Sequence, residues 1–298
     1  MVKLEGIIPY LVSPVDRDGI VKREVFLRLC NDLIEKGCSG LCVLGSCGEF
    51  PYLSFEQKRE LVGLAVQASS GRVPVVACAS GFSVGEAVKE ARAFVELGAD
   101  AITIMLGVYF PLKPAQIASF YRSVAESVPD TTCILYTNPQ FMHFDLSLDV
   151  LAELLDVKNI IYYKEASGQT GKILSIHNRF KGRFIPFSAS AHIPLFVTML
   201  GGVGWMAGPA CLVPRQCIHL YELARRGDVE RAMKYQERMW AINQSFSRFG
   251  LTACVKAGLE YLGYEVGDPV PPLLPLSAEA RSSVARTIDQ ILSLETEE

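Results

Sequence analysis

Apolar positions along this chain follow two alternating rhythms. Short continuous runs recur at Gly6 to Pro9, Gly40 to Leu44, Val73 to Cys78, Ala101 to Met105, Thr132 to Tyr136, Ile160 to Lys164, Phe184 to Phe187 and Val203 to Met206. Runs of this length, rich in β-branched and aromatic residues, read as buried strands. Longer stretches between them carry a helical period. Val25, Leu29, Leu33 and Ile34 share one face of Val21 to Lys36, and Gly37 follows as a stop signal. Ser54-Phe55-Glu56-Gln57 has the spacing of a capping box, and Ser83 to Leu97 is a further helix ending at Gly98. Eight such strand–helix units, roughly 25 to 35 residues apart, predict a parallel sheet with right-handed crossovers.

Eight units in about 220 residues fit a (β/α)8 TIM barrel of the α/β class. A doubly wound sheet is the alternative, but it usually carries a Gly-rich phosphate loop after its first strand. Here that position is Tyr10-Leu11-Val12-Ser13-Pro14. After Arg225-Arg226-Gly227-Asp228 the pattern becomes helical only, with Asp228 placed to cap a helix through Met239 and a Pro-rich interruption at 269–272. The expected organisation is a barrel over 1–224 and a helical C-terminal appendage over 225–298.

Composition narrows the class. Of 298 residues, 50% are hydrophobic and 20% charged, with a net charge of -3, so there is ample core material and no basic field for nucleic acid or anionic lipid. No stretch is long and apolar enough to span a bilayer, and Met1-Val2-Lys3-Leu4-Glu5 lacks the zones of a signal peptide. A cytoplasmic protein is expected, with Glu295-Thr296-Glu297-Glu298 as a frayed tail. Nine cysteines, an odd number lying mostly in apolar runs without a CxxC pair, read as buried free thiols. His143, His177, His192 and His219 are scattered, so no metal site is expected.

Against this background Lys164 stands out. It closes Ile160-Ile161-Tyr162-Tyr163-Lys164, where a buried ammonium is costly unless paired or deprotonated. Desolvation lowers a lysine's pKa, and the neutral amine can attack a carbonyl carbon. Two other features follow barrel strands, where active residues lie. Gly45-Ser46-Cys47-Gly48-Glu49 can hold a carboxylate with backbone N–H groups and the Ser46 hydroxyl. In Tyr136-Thr137-Asn138-Pro139, Tyr136 can relay a proton at a reacting carbonyl or hydroxyl. Together they describe a class I mechanism, in which an amine condenses with a 2-keto acid and the imine acts as an electron sink.

The chain resembles the pyruvate-dependent class I aldolases and lyases that include N-acetylneuraminate lyase and dihydrodipicolinate synthase. The resemblance covers essentially its whole length. It rests on a G-[ST]-[ST]-G-E motif at Gly45 to Glu49, a Y-x-x-P motif at Tyr136 to Pro139, and a Schiff-base lysine before an acidic residue and small-residue turn at Lys164 to Gly168. It implies that Lys164 forms the imine, Tyr136 relays protons, and Ser46 with the Cys47 backbone binds the pyruvate carboxylate, while Glu49 holds the loop. It implies no cofactor, and a homo-oligomer (tetramer or dimer) with Tyr109 in the loop that borders a neighbouring subunit's site.

The chain departs from this pattern in places. Cys47 replaces a hydroxyl with a weak donor. Dihydrodipicolinate synthases carry an arginine shortly after the tyrosine, where Phe141 stands here, and Ser188-Ala189-Ser190-Ala191 lacks their acidic turn. The stretch Tyr136 to Phe141 is similar instead to hydratase-aldolases, which release an aromatic aldehyde and pyruvate, and Trp205 falls where those enzymes place a pocket tryptophan. The expected partners are therefore a small 2-keto acid and an apolar or aromatic aldehyde. The alternatives are a 2-keto-3-deoxy sugar acid dehydratase, a dihydrodipicolinate synthase-like enzyme, a non-catalytic 2-keto acid binding barrel, and a metal-dependent class II aldolase.

Overall fold

The computed structural model describes residues 1–190 and 193–296. Ala191 of the turn segment, His192, and Glu297 and Glu298 of the acidic tail lie outside them. All eight expected strands form: β1 (Gly6–Pro9), β2 (Leu41–Val43), β3 (Val75–Gly81), β4 (Ala101–Leu106), β5 (Thr132–Thr137), β6 (Ile160–Glu165), β7 (Ile185–Phe187) and β8 (Gly204–Ala207). The pairs are parallel, with β2 to β7 in sequence order and β1 beside β8. Single parallel bridges, Tyr10 with Cys42 and Ser188 with Trp205, join the two sets into a closed eight-stranded barrel. Closure leaves no open sheet edge and buries both faces of nearly every strand.

Local chemistry explains the helices that wrap it. Ser54 and Ser83 each form a full capping box, with Gln57 and Glu86 respectively. The first helix spans Arg23–Glu35 and buries Phe26, Leu29, Cys30 and Leu33, and Gly37 takes φ 92° just past its end. Asp228 caps a helix that runs to Phe249, well beyond the expected end at Met239, because Met239, Ile242 and Phe246 continue its buried face.

The helices Val229–Phe249, Leu251–Tyr261 and Ala278–Leu292 follow the barrel. Their buried residues, among them Met239, Cys254, Val255, Leu259 and Ile288, belong to the same hydrophobic cluster as the barrel strands. Leu251–Tyr261 packs on the turn after β2, so the C-terminal helices cover part of the strand-end face. All nine cysteines are buried and free.

Candidate active site

Strand register brings two of the expected residues side by side. Tyr136 on β5 pairs with Lys164 on β6, and Lys164 pairs with Phe187 on β7, so all three share one face of the sheet. Tyr121, on the helix Pro114–Glu126, donates its hydroxyl hydrogen to the Tyr136 carbonyl at 2.6 Å and fixes that row. Lys164 is 3% exposed. Its Nζ lies 3.8 Å from the centroid of the Tyr10 ring and 4.4 Å from that of Tyr136.

Burial lowers the Lys164 pKa to about 8, opposed by nearby Cys42, Cys78 and Cys47. Burial also pushes the Cys42 thiol well up and Cys47 to about 12, so both stay protonated and supply no counter-charge. Cys42 and Cys78 lie sulfur to sulfur at 3.7 Å on the barrel's inner wall. A pKa near 8 leaves roughly a tenth of the amine neutral at pH 7, against roughly 0.03% for an ordinary lysine. Burial raises the Tyr136 pKa, while its hydroxyl's interactions with Asn138 and Ser46 pull the other way. The phenol is thus protonated at rest, within reach of Ser46, and carries partners that ease loss of its proton.

The turn after β2 is built for close approach. Ser46–Gly48 forms one 3₁₀ turn, whose first N–H groups have no partner within it. Gly45 is required there: a Cβ would sit 2.3 Å from a carbon of the Tyr10 ring. Ser13 Oγ donates to the Gly48 carbonyl at 2.6 Å. Glu49 takes the left-handed φ of 55° and buries its carboxylate against Lys256, with Nζ and Oε2 at 2.6 Å.

The remaining expected residues lie elsewhere. Phe141 sits on the short helix Pro139–Met142, which Asn138 caps, and is 55% exposed at the barrel mouth. Tyr109 is 83% exposed and packs edge-on against Phe110. Trp205 is not brought to the amine. It shares a register row with Ile7 and Ser188, and Ser188 follows Phe187, so alternation turns its buried indole toward the helices. Tyr10, Asn138, Cys42 and Cys78 join the site without having been expected there. Tyr10 had a signal, because an aromatic residue directly after β1 stands at the active end of a barrel strand.

Among the described residues, no group of three or more His, Cys, Asp and Glu gathers to hold a metal, and no helix is long and apolar enough to cross a membrane. A sequence profile of the dihydrodipicolinate synthetase family matches residues 3–291. The chain belongs to that family. It is 28% identical to 4-hydroxy-tetrahydrodipicolinate synthase of Parasynechococcus marenigrum, over 95% of this chain and 93% of that one. The Bartonella quintana enzyme of the same name is 30% identical, over 91% and 93%. Among solved structures, a putative dihydrodipicolinate synthetase from Pseudomonas aeruginosa superposes with a TM-score of 0.93 at 28% identity, covering 97% of this chain and 100% of that one. A sialic acid aldolase from Ruminococcus gnavus shares the fold, with a TM-score of 0.90. The barrel is that of the dihydrodipicolinate synthetase family, and the protein is a pyruvate-dependent class I lyase that works through a Schiff base.

Proposed function

We propose that Lys164 forms the imine and that the second substrate is an apolar or aromatic aldehyde, in a reaction of the hydratase-aldolase type. The observation that carries the reading is the Lys164 amine, buried between the rings of Tyr10 and Tyr136 with its pKa lowered to about 8. Ser46 and the Cys47 N–H hold the carboxylate of the 2-keto acid beside it. The neutral amine attacks the keto carbon, Tyr136 hands a proton to the departing oxygen, and loss of water leaves an imine. Water adds across the conjugated double bond of an aryl-substituted unsaturated 2-keto acid, placing a hydroxyl on the carbon that bears the aryl group. Tyr136 takes that hydroxyl's proton, the adjacent carbon–carbon bond breaks, and its electron pair moves into the iminium. The aldehyde leaves, the enamine carbon takes up a proton, and water releases pyruvate from Lys164.

Phe141 supports the aromatic partner, because it stands at the mouth beyond β5 where a carboxylate-bearing aldehyde would need a cation. Phe82, Tyr109 and Phe110 follow β3 and β4 and are exposed, so further aromatic side chains stand at the same strand-end face. In a homo-oligomer of the kind the family resemblance implies, Tyr109 and Phe110 are the surface a second copy would cover. A second reading, a synthase condensing pyruvate with a charged aldehyde, is favoured by the names of the relatives.

Borohydride trapping with pyruvate tests the first step: one adduct on Lys164 is expected, and none in wild type overturns the reading. A panel of aromatic and carboxylate-bearing aldehydes, with product analysis, decides the partner. Faster turnover of the aromatic set is expected. Preference for the charged set favours the synthase, and conversion of a 2-keto-3-deoxy sugar acid without pyruvate release would make the enzyme a dehydratase.

A further inference from the structure

The molecule buries a second lysine that the chemistry above does not use. Lys256 lies on the helix Leu251–Tyr261, and its side chain is 1% exposed against a Glu49 carboxylate that is fully buried. The two make an ion pair at 2.6 Å. Lys256 Nζ also donates to the Asp268 carbonyl at 2.9 Å, and Glu49 Oε1 accepts from the Val270 N–H at 2.6 Å. One turn earlier on the same helix, Thr252 Oγ1 donates to the Ser46 carbonyl at 3.1 Å. The turn that carries Ser46 and Cys47 is therefore fastened at both ends to the C-terminal helices.

The fastening has strain to hold. Leu44 and Glu49, which flank the turn, both adopt left-handed φ, 63° and 55°. Non-glycine residues in that region are strained and persist only when their surroundings over-determine them. Burial pushes the Glu49 pKa up and the Lys256 pKa down, and their mutual attraction opposes both shifts. Each ion makes the other's burial tolerable.

We infer that Lys256 is a positioning residue for 2-keto acid binding, acting through Glu49 to fix the turn whose Ser46 hydroxyl and Cys47 N–H take the carboxylate. The inference rests on the function proposed above for the identity of the ligand, but not for the ordering of the turn. Four proteins test it: wild type, Lys256→Met, the double variant Glu49→Gln with Lys256→Met, and Lys58→Met. The last breaks a less deeply buried pair, Lys58 with Glu90 at 2.6 Å, whose recorded partners lie outside the turn. The readouts are the pyruvate concentration for half-maximal borohydride trapping, its rate at saturation, and amide exchange over residues 45–49.

In Lys256→Met, half-saturation rises about tenfold while the saturated rate changes by less than about threefold, since a displaced clamp weakens ground-state binding first. Exchange over 45–49 speeds up in that variant. The double variant regains thermal stability but keeps the raised half-saturation, and Lys58→Met leaves half-saturation and exchange unchanged. Unaltered half-saturation in Lys256→Met, or an equal rise in Lys58→Met, overturns the inference. If wild type gains no adduct, the Schiff-base reading fails separately, and amide exchange still decides the role of Lys256: faster exchange supports it, and unchanged exchange overturns it.

Discussion

Lys164 and Lys256 are both buried lysines, and the fold treats them in opposite ways. Lys256 is matched with the Glu49 carboxylate and the Asp268 carbonyl. The recorded neighbours of Lys164, among the described residues, are two aromatic faces and three thiols, none of which brings a full negative charge. A ring face stabilises an ammonium by only about 2 kcal/mol even when desolvated. A buried ion pair is held by far stronger Coulomb attraction, and breaking it by removing one partner costs about 3–5 kcal/mol. Burial with a counter-ion makes a lysine a fastener. Burial without one leaves it poised to lose its proton, at the price of folded-state stability. A reactive amine and a stable one thus differ less in burial than in whether an acid was placed beside them.

Replacing each lysine by methionine should therefore separate activity from stability. Lys164→Met is expected to abolish turnover, by at least about 10³-fold, because it removes the amine proposed to form the imine. The same change should raise stability by up to about 3 kcal/mol at neutral pH, the equivalent of the lowered pKa, as read from denaturant unfolding. A less stable Lys164→Met protein would contradict the comparison. Lys256→Met should do the reverse, losing about 3–5 kcal/mol in the same unfolding experiment while still forming an adduct at saturating pyruvate.

The pH dependence carries a definite sign. Burial lowers the Lys164 pKa to about 8 in the folded protein, from an ordinary lysine value of 10.5. Below pH 8 both states bind the proton, and the full cost of burying the charge is present. Between about 8 and 10.5 the unfolded chain binds more protons, so the Lys164 contribution to native stability improves as pH rises through that window. The rate of adduct formation with pyruvate should climb over the same onset, with an apparent midpoint near 8. A midpoint near 10 would show that the amine is effectively solvated or paired.

The smallest effect is expected from Tyr10. Its ring lies 3.8 Å from Nζ and favours the charged form. Tyr10→Leu should move the adduct midpoint down by up to about one pH unit. An upward shift would mean that the ring acts chiefly by excluding water. Mass spectrometry of trapped protein across a pH series reads either direction.

The difference between the two lysines also marks how far sequence reading reached. Lys164 was legible because it ends a continuous apolar strand run, where a charged residue contradicts the pattern around it. Lys256 sits in Leu251–Tyr261, amid Val255 and Ala257, where a lysine reads as one polar position on an amphipathic helix. Its partner lies 207 positions away along the chain, since Glu49 and Lys256 meet only when the C-terminal helices fold over the strand ends. Trp205 shows a subtler limit. Its place at a strand end was legible, but which face it occupies depends on its register with Ile7 and Ser188. A one-residue change of register reverses every side chain, and the run Val203 to Met206 is too uniformly apolar to fix the face alone.

Taken by itself, the sequence determined the eight strand–helix units, the ends of several helices and the residue types able to form an imine. Those features depend on local periodicity, capping chemistry and the conflict between a charge and its apolar neighbours, all contained within a few consecutive residues. The tertiary structure alone decided that Tyr136 and Lys164 share a row, that Tyr10 closes over the amine, and that Lys256 rather than solvent holds Glu49. Each of these is a meeting of distant segments, set by barrel closure and by the burial of the C-terminal helices in the same core.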